Sequence, residues 1–142
     1  DFIVGFPGET DRDFEDTLDL VRKVRYASAF SFMYSPRPGT PAAGMAAQVP
    51  AEVMKARLQA LQQLLIEQQV AFNESQAGRT LPVLFERVGR HRSQAIGRSP
   101  YLQSVHVEDA RGRGGKIARV TGGSGQQNSL PGVLAAPAGT VA

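Results

Sequence analysis

Cysteine is absent from the 142 residues. This excludes disulfides and any thiolate-held metal within the chain. His91 and His106 are the only histidines, too few for a zinc site of the usual ligand count. No metal ligand is therefore expected, and no residue stands out as catalytic. No apolar run approaches the roughly 20 residues that span a bilayer, and no signal-peptide pattern is present. The expectation is a cytoplasmic protein without membrane contact, and a monomer. An initiator methionine is also lacking: Asp1-Phe2-Ile3-Val4 reads as a buried strand from the first residue. Parallel neighbours for such a strand must come from elsewhere in a chain, so the expectation is that an N-terminal half precedes it.

Enough is present to build a core. The apolar content of 42% argues against wholesale disorder, and the length suits one ordinary domain or two small ones. Charge divides unevenly. Residues 1–78 carry ten acids against seven bases, a net of −3, while residues 79–142 carry nine bases against three acids, a net of +6. Such asymmetry points to an anionic partner for the second part, nucleic acid first; a solvated charged surface is the alternative.

Along the chain, Gly5-Phe6-Pro7-Gly8 is turn chemistry after the first strand. Thr10 then has the character of an N-cap, with Asp13 in the capping-box position. Asp11, Asp13, Glu15 and Asp16 favour the positive end of a helix dipole. Phe14, Leu18, Val21 and Val24 recur at helical spacing. Ala27–Tyr34 reads as a second buried strand, giving a βαβ unit with a parallel pair. A stiff Pro/Gly loop, Ser35–Ala43, follows at the strand's carboxyl end, where α/β folds bind ligands. A helix of roughly 25 residues is expected from Ala51 to about Glu74, with Met54, Leu58, Leu61, Leu65 and Phe72 on one stripe. Beyond it, Leu81–Glu86, Ser93–Ile96, Ser104–Val107 and Lys116–Thr121 are short strand-like runs near ten residues apart, the signature of a small antiparallel barrel. Gly112–Gly115 and Gly122–Asn128 suit flexible hairpin loops.

Two segments carry chemical interest. Glycines at 5 and 8 permit a tight turn and close approach to a ligand, but Glu9 and its acidic neighbours oppose a phosphate, and the P-loop lysine is missing. Residue types alone leave a structural turn and a ligand site equally open. In Tyr34-Ser35-Pro36-Arg37-Pro38-Gly39-Thr40-Pro41, three prolines specify the loop before anything binds. Arg37 is the lone charge there, able to clamp a carboxylate or phosphate or to pair with an acid elsewhere in the protein.

Taken together, Gly5-Phe6-Pro7-Gly8-Glu9-Thr10, the acidic helix, Ala29-Phe30-Ser31-Phe32-Met33-Tyr34-Ser35-Pro36-Arg37-Pro38-Gly39-Thr40-Pro41-Ala42-Ala43 and Gly97-Arg98-Ser99-Pro100-Tyr101-Leu102-Gln103-Ser104-Val105-His106-Val107 resemble the radical S-adenosylmethionine methylthiotransferases. Within that family the pattern is most similar to the branch that modifies isopentenylated adenosine in tRNA. The resemblance implies an α/β portion followed by an all-β one: the C-terminal part of a radical-SAM partial (β/α) barrel over residues 1–48 and a closing helix over 49–78. A TRAM-type RNA-binding antiparallel β-barrel over 79–134 and a disordered tail over 135–142 complete the organisation. It implies S-adenosylmethionine and two 4Fe-4S clusters as cofactors, and transfer of a methylthio group to C2 of an adenosine beside the anticodon.

By the same resemblance, Ile3, Gly5, Pro7, Gly8 and Glu9, with Tyr34, Ser35 and Arg37, wall the S-adenosylmethionine site. Asn128-Ser129-Leu130 matches a closing strand. The cluster ligands of the family are cysteines, so this chain by itself is expected to be inactive. What remains for it is to hold RNA, a tRNA anticodon stem-loop, through Arg87, Arg90, Arg92, Arg98 and Lys116. With only Phe85 and Tyr101 as aromatics nearby, backbone grip is expected over base stacking unless Tyr101 is exposed.

Alternatives stay in view. A cousin acting on a ribosomal-protein aspartate would meet a basic substrate that a +6 domain repels. Charge does not exclude one acting on threonylcarbamoyladenosine in tRNA. A non-catalytic RNA-binding module is the alternative from another class.

Overall fold

A computed structural model describes residues 1–136, and the chain divides into two compact units, Asp1–Gln69 and Val70–Ala142. The first begins with β1 (Phe2–Val4), α1 (Asp11–Val24) and β2 (Ser31–Met33). The two strands pair in parallel, with Phe2 opposite Ser31, Ile3 opposite Phe32 and Val4 opposite Met33. Bonds from the Phe2 amide to the Phe30 carbonyl (2.8 Å) and from the Tyr34 amide to the Val4 carbonyl (2.8 Å) extend the pairing. β2 is shorter than the Ala27–Tyr34 expectation because β1 stops at Gly5, whose φ of +75° leaves the strand conformation, and an unpaired stretch gains no ladder.

Helix α1 starts as its sequence dictates. The Thr10 hydroxyl accepts from the Asp13 amide (3.1 Å) while the Asp13 carboxylate accepts from the Thr10 amide (2.8 Å), so two orphan donors of the first turn are satisfied reciprocally. Leu18 and Val21 turn inward; Val24, the last helical residue, is half exposed. A 3-10 turn at Pro41–Gly44 precedes α2 (Ala51–Ser75). Its Leu61 and Leu65 join Val4, Leu18 and Val21 in one core, with Phe2, Phe14, Tyr26 and Leu58 packed around it. The division between the units falls inside α2.

The second unit is a closed barrel of β3 (Thr80–Val88), β4 (Ala95–Arg98), β5 (Ser104–Val107), β6 (Ile117–Gly122) and β7 (Leu130–Leu134), in the order β3-β4-β5-β7-β6. Val83, Phe85, Ala95, Val105, Val107, Ala110, Val120 and Leu130 fill it. The wholly antiparallel expectation needs correction: β5 and β7 run parallel. Five strands in a closed ring cannot alternate direction throughout, so at least one pair must be parallel. At Gly97 a Cβ would collide with the Leu84 carbonyl of the neighbouring strand, which is why glycine occupies that ring position.

A buried amide network ties the end of α2 to the barrel. Asn73, 2% exposed, donates to the Gln126 (2.7 Å) and Gln127 (3.1 Å) carbonyls and accepts from Gln103 Nε2 (2.6 Å). The Gln103 side-chain oxygen in turn accepts from the Ser99 hydroxyl (2.9 Å). Of the expected tail, Ala135 is bonded to the Arg119 carbonyl (2.9 Å), and 137–142 lie outside the described residues. Among the described residues no helix is long and apolar enough to cross a membrane.

Candidate functional site

Two places bear on function: the carboxyl ends of β1 and β2, and the basic surface of the barrel. At the first, Gly5 and Gly8 both take positive φ, +75° and +88°, so the Gly5–Gly8 turn is one that L side chains resist. Gly5 is also packed under Met54 of α2, which a Cβ would strike. The Gly8 amide donates to the Ala47 carbonyl (2.7 Å) and the Glu9 amide to the Phe6 carbonyl (2.9 Å). The amides of this turn are thus largely spent inside the protein.

Glu9 is likewise committed. One carboxylate oxygen accepts from the Gly5 amide (3.0 Å), the other from Arg57 (2.6 Å), and Arg57 reaches on to the Glu9 carbonyl (3.1 Å) and the Asp11 carboxylate (2.7 Å). The Arg57 and Glu9 side chains are 8% and 13% exposed, and the guanidinium lies 5.7 Å from the Phe14 ring centroid. Burial disfavours the charged guanidinium, but hydrogen bonds to Asp11 and Glu9 outweigh it and raise its pKa above the ordinary arginine value. Sequence reasoning missed Arg57. Its signal is a charge three residues after Met54 and next to Leu58, on the side of α2 that buries apolar residues. Gly5, Pro7, Gly8 and Glu9 together form a rigid frame.

The groups still available stand on the second strand end. The Tyr34 hydroxyl is buried without a hydrogen-bond partner, and its ring meets Phe6 edge-on at 5.4 Å. Ser35 and Arg37 are exposed. The Arg37 carbonyl accepts from the Thr40 amide (3.1 Å) and hydroxyl (2.8 Å), closing the loop, while its guanidinium has no ion pair among the described residues. Ile3 is 59% exposed beside Phe32. A small polar cofactor with a carboxylate would find a matching cation in Arg37 and an unsatisfied hydroxyl in Tyr34. Iron–sulfur clusters do not fit this chain: it has no thiolate, and no group of candidate metal ligands forms among the described residues. An open cavity of about 380 Å³ lined by Ala29, Phe30, Ser31, Gln62, Leu65, Ile66 and Gln69 lies at the amino end of β2, opposite the loop ends.

On the barrel, Arg87 is the penultimate residue of β3, Arg90 and Arg92 occupy the β3–β4 loop, Arg98 ends β4 and Lys116 immediately precedes β6; all five are exposed. A bulge between Phe85 and Arg87 shifts the alternation so that Glu86 and Arg87 both lie outside the core. Arg87 then pairs with Ile96, which pairs with His106, so the three share one outer row. Arg98 is partly engaged, 3.5 Å from Glu86 and bonded to the Leu102 carbonyl (3.0 Å). Arg87, Arg90, Arg92 and Lys116 make no side-chain ion pair among the described residues. Arg111 and Arg113 share that condition and were missed as candidates because Gly112–Gly115 reads as a mere flexible loop. Tyr101 packs edge-on against Phe72 at 5.2 Å and is itself 40% exposed, the condition under which it could add base stacking.

No family model matches the chain. Curated relatives do. The tRNA-2-methylthio-N(6)-dimethylallyladenosine synthase of Maricaulis maris is 60% identical over 134 residues, 94% of this chain and 29% of the relative. Proteins of the same name from Wolbachia pipientis wMel (54% identical, 93% of this chain, 30% of the relative) and Rickettsia conorii (53%, 94% and 30%) are similar to it as well. The chain therefore spans about 30% of the length of these relatives. A crystal structure of a multidomain protein with nucleic acid binding domains from Streptococcus pneumoniae aligns over 44% of this chain and 24% of its own, at a TM-score of 0.39 and 13% identity, too distant a likeness to bear on the fold.

Proposed function

We propose that this chain is the C-terminal part of a radical S-adenosylmethionine methylthiotransferase that modifies C2 of N6-isopentenyladenosine beside the tRNA anticodon, with residues 79–134 holding the RNA. The single observation that carries the reading is 60% identity across 94% of the chain to a synthase of that name. The resemblance recognised in the strand-end motifs points the same way. In this reading the protein is cytoplasmic, and the iron–sulfur clusters are held by cysteines outside this chain.

The geometry supports a division of labour. Gly5, Pro7, Gly8 and Glu9, locked by Arg57, form the frame of the cofactor wall, and Ile3, Tyr34, Ser35 and Arg37 face the ligand. Ile3, Phe32 and Met33 are 59%, 51% and 44% exposed, an apolar surface that further strands of a (β/α) barrel would cover. For the RNA, small five-stranded barrels of the oligonucleotide-binding type use the second and third strands with the 1–2 and 4–5 loops. The equivalents here are β4, β5, the loop at 89–94 with Arg90 and Arg92, and the loop at 123–129. That support is fold-level analogy, and the unpaired cations add to it.

A chimera tests the reading. Residues 1–134 replace the homologous segment of the Maricaulis maris enzyme, and bulk tRNA from cells lacking their own methylthiotransferase is digested and analysed by mass spectrometry. The methylthiolated isopentenyladenosine should reappear, while the chain expressed by itself restores nothing. A chimera that loads its clusters yet leaves isopentenyladenosine unmodified would overturn the assignment. Product on threonylcarbamoyladenosine or on a ribosomal-protein aspartate instead would move it to a sister branch.

A further inference from the structure

We propose that Glu108 is a positioning residue that joins the β3–β4 and β5–β6 loops into one phosphate-binding rim, to which Arg111 and Arg113 contribute alongside Arg90, Arg92 and Lys116. The inference rests on the RNA-holding reading above and deepens it by naming the second loop and the device that sets it.

The first loop is built around Gln94. Its side chain folds back over Gly89, where a Cβ would collide with it. Its oxygen accepts from the Arg90 amide (2.9 Å), and its Nε2 donates to Glu108 (2.6 Å). The second Glu108 oxygen lies 3.3 Å from His91 Nε2, and the other nitrogen of that ring bonds the Ser93 hydroxyl (2.8 Å). One carboxylate thus touches two residues of the opposite loop, and through Gln94 it fixes the backbone of Arg90.

The second loop is pinned at three further points. The Ala110 amide donates to the Ser93 carbonyl (2.9 Å), and Ala110 itself, 1% exposed, plugs the barrel core. The Gly115 amide bonds the Phe85 carbonyl (2.8 Å), and the Lys116 carbonyl accepts from the Phe85 amide (3.0 Å). The Lys116 amide closes the turn on the Arg113 carbonyl (2.9 Å). Gly112 and Gly115 adopt φ of +68° and +73°, and a Cβ at Gly112, Gly114 or Gly115 would meet nothing.

These glycines face open space, so their spacing serves backbone shape and access rather than packing. The backbone of both loops is held, while the five cationic heads have no ion pair among the described residues. Glu108 is spent on Gln94 and His91. The five cations of these two loops outnumber their two acids, Glu108 and Asp109, and a phosphodiester backbone supplies the missing negative charge while shedding its own counterions.

The position of Glu108 makes the test unusual. Removing a carboxylate from a basic surface ordinarily strengthens nucleic-acid binding; removal of a clasp should weaken it. Fluorescence anisotropy of the 142-residue chain with a labelled anticodon stem-loop RNA, from roughly 50 to 200 mM salt, reads both affinity and salt slope. Arg111→Ala/Arg113→Ala should reduce the slope by about two, one for each phosphate no longer neutralised, with affinity down about tenfold or more at low salt. Glu108→Ala should weaken binding and reduce the slope, whereas Glu108→Gln, which keeps an oxygen acceptor for Gln94, should bind as tightly as the parent or better.

Tighter binding by Glu108→Ala at an unchanged slope would overturn the positioning role. Unchanged behaviour of the arginine pair overturns the shared rim, and that variant decides alone if Glu108→Ala fails to fold. Absence of salt-dependent binding by the parent chain overturns the RNA-holding reading itself, together with this one.

Discussion

The two units solve the same problem of strand edges in opposite ways. In Val70–Ala142 five strands close on themselves, so every strand has two hydrogen-bonded neighbours and the apolar side chains converge on Phe85 at 0% exposure. In Asp1–Gln69 two three-residue strands pair only with each other, so each keeps an unpaired edge. Ile3, Phe30, Phe32 and Met33 stay substantially exposed there. Isolated two-stranded pairings are marginal without further packing. What holds this unit is a single helical layer and one buried ionic clamp, Arg57 with Glu9. Closure makes a β unit self-sufficient; where closure is absent, side chains must do the holding.

Several substitutions can break or sharpen that contrast. The largest effect belongs to the barrel. Phe85→Ala removes its largest buried side chain and should cost about 3–5 kcal/mol, enough to lose cooperative unfolding of the second unit in a denaturant titration followed by circular dichroism. A small loss would mean that the barrel can collapse around the cavity.

Next comes the clamp. Arg57→Met leaves the half-spent Glu9 carboxylate without its cation and should cost about 1–3 kcal/mol. The loss should be local: hydrogen exchange at Gly5 and in β1 and β2 should accelerate while the barrel strands keep their protection. Equal acceleration in both units would show that the clamp is not what distinguishes them. Even without substitution, β1 and β2 amides should exchange faster than those of β3–β7.

Much of the frame was legible in the sequence because local signals agreed with the final structure. Thr10 and Asp13 announced the start of α1, and the spacing of Leu58, Leu61 and Leu65 announced the buried side of α2. Four of the barrel strands were visible as short alternating runs. The fifth, Leu130–Leu134, was marked only by the family resemblance of Asn128-Ser129-Leu130, because by residue type Pro131 and Gly132 read as turn residues. Tertiary context overrides them. Gly132 sits where a Cβ would press on Val120, and Pro131 uses its carbonyl to accept from Gly123 (2.7 Å). The parallel β5–β7 pair was illegible because it depends on ring closure, which no local pattern encodes.

At the candidate sites the cations were readable as composition, but Arg57 and Glu108 were not. Their importance comes from partners that are distant in the chain. Arg57 lies 48 positions from Glu9, and Glu108 lies 14 from Gln94.

The smallest effect tests whether the open unit draws on local helix chemistry as well as on its clamp. Thr10→Ala removes the cap of α1 and should cost about 1 kcal/mol, read as a modest drop in the melting temperature. The cap also carries a pH signature. Hydrogen bonds from the Thr10 hydroxyl and amide hold the Asp13 carboxyl below the ordinary aspartate value of 3.8. A depressed folded pKa means that the stabilisation is fully present above the unfolded value and is lost as pH falls through the folded one. Acidification below about pH 4 should therefore fray α1 in the parent chain, while Thr10→Ala, already uncapped, should show a shallower acid dependence. Protection of the Asp13 and Phe14 amides by hydrogen exchange, compared at about pH 6 and about pH 3 after correction for intrinsic rates, separates the two. Identical pH dependence in both chains would mean that the capping box contributes nothing measurable. The first unit would then depend on the Arg57 clamp and its thin core alone.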